Sequence, residues 1–234
     1  MNCNRLILKN IVVWYIMKAD FIKCNFPSLD FQFFRMRLIN EFMRILASND
    51  PYRGVKLLID TRLVEVFLPE LLEAPEMHQP KHHKYPVLEH NLLAMKHTPS
   101  TDPLLRLAAL LHDVGKPRSA RGNDQNRTFH GHEVIGARMT KDIMRRLKFS
   151  NADIDRVVNL VRHHMFLFQF ESTDKAVRRI IRRVGNENID DLVALRVGDR
   201  LGSGCRVGYT PKLKQFKQRV IDVQKDPIDT RMLK

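Results

Sequence analysis

Seven positions in this chain carry side chains suited to holding a divalent cation: His90, the neighbours His112 and Asp113, His132, the neighbours His163 and His164, and Asp199. Neutral imidazoles and carboxylates are natural donors for a borderline divalent ion, and helical bundles project such donors inward from facing helices. A single His on an apolar helix face is more often a satisfied core residue than a ligand. Several of them, spread over a bundle around a half-buried His-Asp doublet, reverse that weighting. His112 and Asp113 lie about 100° apart around a helix, so at a last turn both reach one ion. Leu110 and Leu111 before them and Gly115 after them suit such a terminus. His164 continues the apolar stripe of Ile154, Val157 and Val161, whereas His163 lies about 100° away. Either can point inward. His78, His82, His83, His97 and His130 read as exposed, capping or structural, although a His- and Pro-rich loop before His90 also suits a substrate mouth.

The elements that must position these residues read as helices throughout. Leu38, Phe42, Ile45 and Leu46 form one stripe, ending before Asn49-Asp50-Pro51. Val55, Leu58 and Ile59 begin a second helix, and Leu63 to Leu68 a third that stops at Pro69. Val87–His97 and Pro103–His112 follow, the second ended by Gly115 and Pro117, because Pro cannot continue a helix and Gly accepts a left-handed C-cap. His132–Leu147 is helical, and Ser150 with Asp153 forms a capping box opening the next helix. Ala176–Val184, Asp190–Arg200 and Lys212–Val223 complete the set. The expected fold is all-α: an atypical segment over 1–35, a small helical neck over 36–80, a helical bundle over 81–211 and a terminal helix in 212–234. The apolar stretch Leu6–Met17, interrupted by Lys9 and Asn10, is too short to cross a bilayer and reads as a buried helix or strand.

The string LLHDVGKP (Leu110 to Pro117) resembles the signature of the HD superfamily of metal-dependent phosphohydrolases. VLEHNLLAM (Val87 to Met95) resembles its upstream ligand helix, and LRVGDRL (Leu195 to Leu201) its downstream Asp. The resemblance implies that His90, His112, Asp113 and Asp199 hold one divalent metal. It also implies that His132, with His163 or His164, serves a second, bridged by Asp113. Lys116 matches a lysine that some members point at the phosphate, and Arg118 is a further candidate for offsetting charge there. Mn, Ni, Co, Fe and Mg all fit this donor set.

A longer resemblance runs from about Arg37 to Gly204, to the C-terminal, HD-bearing part of bacterial CCA-adding tRNA nucleotidyltransferases and poly(A) polymerases. It rests on NEFMRILASNDPYRGVKLLIDTRLVEVFLPEL, TFHGHEVIGA, LKFSNADIDRVVNLVRHHM and RRIIRRVGNENIDDLVALRVGDRLGSG. The family's nucleotidyltransferase head, with its Gly-Ser or Gly-Gly and Asp-x-Asp, has no match here, so CCA addition by this chain alone is not expected. A fragment, a mis-started reading frame and a free-standing HD protein all fit that pattern.

The charge balance, 40 − 26 = +14, favours a polyanionic partner. Arg178, Arg179, Arg182 and Arg183 form a basic stripe, with further clusters at Arg145, Arg146 and Lys148 and at Lys212, Lys214, Lys217 and Arg219. Few aromatics interleave, which suits phosphate-backbone contact. Cys3, Cys24 and Cys205 match neither a disulfide framework nor a zinc finger and fit a reducing, cytoplasmic setting with no membrane partner. The sequence therefore predicts a metal-dependent phosphohydrolase acting on a nucleotide or an RNA end, tRNA included. Its rival is a non-catalytic RNA-binding body working with a separate nucleotidyltransferase.

Overall fold

The computed structural model describes residues 30–79, 84–124, 126–166 and 171–225, with side chains from Met36 onward. The Leu6–Met17 stretch, His82 and His83 lie outside the described residues. Among the described residues there is no strand. The one β-type pairing is an isolated bridge between Arg121 and Thr128, inside the loop that leads to His132.

Helix α1 (Asp30–Ala47) starts earlier than its stripe suggests. Helix α2 (Pro51–Asp60) opens on Asp50, whose carboxylate accepts from Arg53 N, with Pro51 in the first turn. The third helix is only one turn, α3 (Val64–Phe67). It stops before Pro69, as the sequence suggests, and a separate 3-10 turn over Pro69–Leu72 follows, because proline at a first helical position forfeits no hydrogen bond. Phe42 and Phe67 meet edge to face, with centroids 5.0 Å apart, and close this layer.

The bundle comprises α4 (Val87–His97), α5 (Pro103–Leu111), the single turn α6 (Lys116–Ser119), α7 (His132–Arg146), α8 (Asn151–His163), α9 (Asp174–Val184), α10 (Ile189–Gly202) and α11 (Pro211–Lys225). Sequence periodicity misses α6: Gly115 and Pro117 do end α5, but Pro117 also starts a new turn. Ser150 caps α8 as its spacing predicts, accepting from Asp153 N at 3.2 Å. One apolar core runs without a break from Leu38 on α1 to Val223 on α11. The buried Arg106 of α5 fastens α1 to it, donating at 2.6 Å to the carbonyls of both Leu46 and Ser48. Among the described residues no helix is long and apolar enough to cross a membrane.

Candidate metal centre

One crossing and three helix ends assemble the candidate ligands. α4 carries His90 in its middle, and α10 carries Asp199 in its last turn. These two helices pack backbone to backbone at Gly198 and Gly202, where an added methyl would meet Ala94 O at 2.6 Å and Ala94 N at 2.6 Å respectively. The apolar run of α5 ends at Leu111, leaving His112 as its C-cap and Asp113 in the turn beyond. Gly131, at φ 75°, adopts the left-handed conformation that starts α7 with His132 as its first residue. His164 caps the end of α8.

Six of the seven predicted residues converge. Asp113 Oδ2 lies 3.2 Å from His90 Nε2 and 3.2 Å from His112 Nε2. Asp199 Oδ1 lies 3.4 Å from His90 Nε2. On the other side, Asp113 Oδ1 lies 3.2 Å from His132 Nε2 and 3.6 Å from His164 Nε2. His163, half-exposed, belongs to neither group, so the structure separates the pair that the sequence leaves open.

The donor chemistry fits a cation. His112, His132 and His164 each direct Nδ1 at a backbone carbonyl three residues earlier (Ala109, Phe129 and Val161) at 2.7 Å. That bond places the ring proton on Nδ1 and leaves Nε2 as a lone pair, the arrangement that orients metal-ligating histidines. The Nε2 atoms of His90 and His112 nevertheless sit 3.0 Å apart, and those of His132 and His164 3.3 Å apart. Asp113 Oδ1 is buried without a hydrogen bond of good geometry. Acceptors crowded in this way require a shared positive charge, from protons or from an ion.

The electrostatics agree. Burial opposes charge on His112, but the carboxylates of Asp113 and Asp199 outweigh it and push the imidazole up to about 10. Burial alone would raise Asp113, yet His112 and Lys116 hold it well below the usual carboxylate range. Burial and the charge on His112 press His164 down to about 3, so it stays neutral at ordinary pH. Below its raised pKa the apo site carries a proton on His112, which an incoming ion must displace. Metal affinity is therefore expected to rise with pH by roughly tenfold per unit between pH 6 and 8, with about one proton released per ion bound. Calorimetric titration in buffers of different ionisation heat checks this; an affinity independent of pH would refute it.

Asp113, His132, His164 and Asp199 form the floor of a cleft of about 630 Å³, within the range of small-ligand sites, with His90 and His112 buried outside its lining. Lys116 Nζ lies 2.5 Å from Asp113 Oδ2 and 2.5 Å from Gln79 Oε1. Arg127, Arg196 and Arg200 add positive charge to the walls, and the exposed His130 lines the mouth. Sequence reasoning missed Gln79, Arg127, Arg196 and Arg200. The last two had a signal, since they stand at i−3 and i+1 of Asp199 on one helix, and Arg196 Nη1 bonds Asp199 Oδ2 at 2.7 Å. Arg118 does not line the cleft: its guanidinium forks onto Glu73.

Of the basic stripe on α9, Arg179, Arg182 and Arg183 are exposed. Arg178 instead donates to Val223 O of α11 at 2.9 Å. The other clusters are partly used internally, Arg146 on Glu70 at 2.6 Å and Lys217 on Asp190 at 2.7 Å.

Comparison with known proteins agrees with this geometry. Residues 87–202 match the HD domain family model. Residues 35–74 match a model described as the probable RNA and SrmB-binding site of polymerase A. The chain is 40% identical over 170 residues to an A-adding tRNA nucleotidyltransferase of Deinococcus radiodurans, covering 70% of this chain and 38% of the relative. It is 35% identical over 205 residues to a CC-adding tRNA nucleotidyltransferase of Thermus thermophilus, covering 85% and 46%. A bifunctional uridylyltransferase/uridylyl-removing enzyme of Streptomyces coelicolor is 35% identical over 107 residues, covering 43% and 12%. The chain thus spans less than half the length of these relatives. The helices carrying the candidate ligands, their spacing and both family models agree: the chain belongs to the HD-domain family, homologous to the C-terminal HD region of the tRNA nucleotidyltransferases.

Proposed function

We propose that this protein is a metal-dependent phosphohydrolase acting on a nucleotide or RNA-end phosphoester, of phosphatase or 2′,3′-cyclic phosphodiesterase type. The observation that carries this is the pairing of a buried, acceptor-rich His/Asp cluster with a cleft walled by Lys116, Arg127, Arg196 and Arg200. His90, His112, Asp113 and Asp199 would hold one ion, and His132 and His164 a second, with the two oxygens of Asp113 facing the two sets. When bound, such ions lower the pKa of water and polarise a phosphoryl oxygen. The chain itself orients the phosphoester: Lys116 and the cleft arginines offset charge developing on its oxygens. A histidine at the mouth, His130, would give a proton to the leaving oxygen. The test is a screen of divalent metals against nucleoside monophosphates, 2′,3′-cyclic nucleotides and RNA ends. Chelator-sensitive phosphate release is the expected result, and no turnover with any metal would overturn the reading.

RNA is the proposed macromolecular partner, supported by the match over residues 35–74 and by the exposed Arg179, Arg182 and Arg183. Reversing these three charges to Glu is expected to weaken tRNA binding at least tenfold. It should also flatten the dependence of log affinity on log salt by about 2–3. Gel shifts at graded salt measure both. A second reading, an RNA-holding body without chemistry, is favoured by the nucleotidyltransferase relatives; tRNA retention with no turnover of any phosphoester would select it.

A further inference from the structure

The cleft contains two apolar side chains that charge offset at a phosphate does not require. Phe129 and Met165 both line it, and Met165 is 47% exposed, a large share for an unbranched apolar side chain beside a charged site. Both are tied to the His132–His164 pair, whose ring centroids are 5.2 Å apart. Phe129 supplies the carbonyl that receives His132 Nδ1, and Met165 directly follows His164. Lys116 Nζ lies 5.5 Å from the Phe129 ring centroid, so the same lysine touches both the carboxylate floor and the aromatic wall. Aromatic faces and polarisable thioethers both pack well against flat π-systems.

We infer that Phe129 and Met165 form a platform for the base of a nucleotide whose phosphate lies over the His/Asp cluster. The site would therefore select a base-bearing ligand over a bare sugar phosphate. The inference rests on the phosphohydrolase reading for the phosphate's position but concerns binding, so it is tested without turnover.

The test is calorimetric titration of the metal-loaded protein with non-hydrolysable phosphonate analogues of AMP, of ribose 5-phosphate and of the dinucleotide ApA carrying a 3′-phosphate. AMP or the dinucleotide is expected to bind roughly tenfold or more tightly than ribose 5-phosphate, the scale of one base stacked on an aromatic ring. Tighter binding of the dinucleotide assigns the platform to an RNA end, and tighter binding of AMP assigns it to a free nucleotide. Phe129→Leu and, separately, Met165→Ala should erase most of that preference, Phe129→Tyr should restore it, and Met165→Ala should leave ribose 5-phosphate affinity unchanged. Met165 is exposed enough that its variant keeps the fold, so the inference does not depend on Phe129 alone. Equal binding of AMP, the dinucleotide and ribose 5-phosphate, or a preference unchanged in the Phe129→Leu and Met165→Ala variants, would overturn it. A base preference without hydrolysis would leave the platform standing and remove only the hydrolase reading.

Discussion

Asp113→Asn is expected to strip the protein of tightly bound divalent metal and to lower phosphoester hydrolysis by about three powers of ten. The substitution keeps shape and volume, so what it removes is charge. Asp113 is the only one of the candidate ligands that faces both sets of histidines, with Oδ2 toward His90 and His112 and Oδ1 toward His132 and His164. An amide offers one neutral oxygen and turns an NH2 toward the other set, where a cation belongs. Metal assistance supplies several kcal/mol of transition-state stabilisation, and about 1.4 kcal/mol corresponds to each tenfold in rate. His112 loses its main counter-charge in the variant, so its pKa falls from about 10. The stability that the pair provides in the apo protein, present below the unfolded histidine's pKa and lost as pH rises through about 10, shrinks accordingly. Helical circular dichroism at pH 7 should persist, because the apolar faces of α5, α7 and α8 are untouched. His163→Ala is the matching control, since His163 lies outside both sets of candidate ligands, and it should retain full metal content. Elemental analysis decides: normal metal in Asp113→Asn, or metal loss in His163→Ala, would contradict the assignment of these ligands.

The same residues show how much of the site was legible in the sequence. The His112-Asp113 doublet, His90 and Asp199 stood out because each sits on an amphipathic helix and because their spacing resembles a family signature. The six-residue convergence followed once those helices packed. The choice between His163 and His164 was not legible, because the helix ends at His163 and the direction of the next side chain is set by the cap geometry. What fixes it is the bond from His164 Nδ1 to Val161 O, a contact that no periodicity encodes. Gln79 and Arg127 come from loops, where position depends on tertiary contacts such as the bond from Arg127 to His78 O. Arg178 belonged to a stripe by helix geometry alone. The packing of α11 on α9 turned it into an internal tie, leaving three exposed arginines of the four. The one-turn α6 was missed for a related reason, since four residues carry too little period to read.

Gly202→Ala should damage both stability and the site, although alanine is the better helix former. A glycine inside a helix costs up to about 1 kcal/mol relative to alanine, and less at the last residue, where Gly202 stands. Against that small gain, a methyl at Gly202 would lie 2.6 Å from Ala94 N, 2.9 Å from Ala94 Cα and 3.0 Å from His90 O. These are backbone atoms of α4 and cannot rotate away, so the helices must separate. Forcing a methyl into a packed contact costs about 1–3 kcal/mol, which outweighs the gain in propensity. For a chain of this size that corresponds to a melting temperature lower by about 2–10 °C. The consequence for the site follows from what the crossing carries. His90 on α4 and Asp199 on α10 meet at 3.4 Å only because Gly198 and Gly202 let the two backbones touch. Metal sites tolerate displacements of about 0.5 Å, less than the width of a methyl group. Metal affinity should therefore fall by about 10- to 100-fold, the range seen when ligand positioning is disturbed. Gly198→Ala, which meets Ala94 O and the Thr98 side chain, should act in the same direction. Thermal unfolding of the apo protein separates the packing cost from the loss of metal. An apo Gly202→Ala variant that melts at or above the parent temperature and binds metal equally well would show that this crossing does not set the distance between the two ligands.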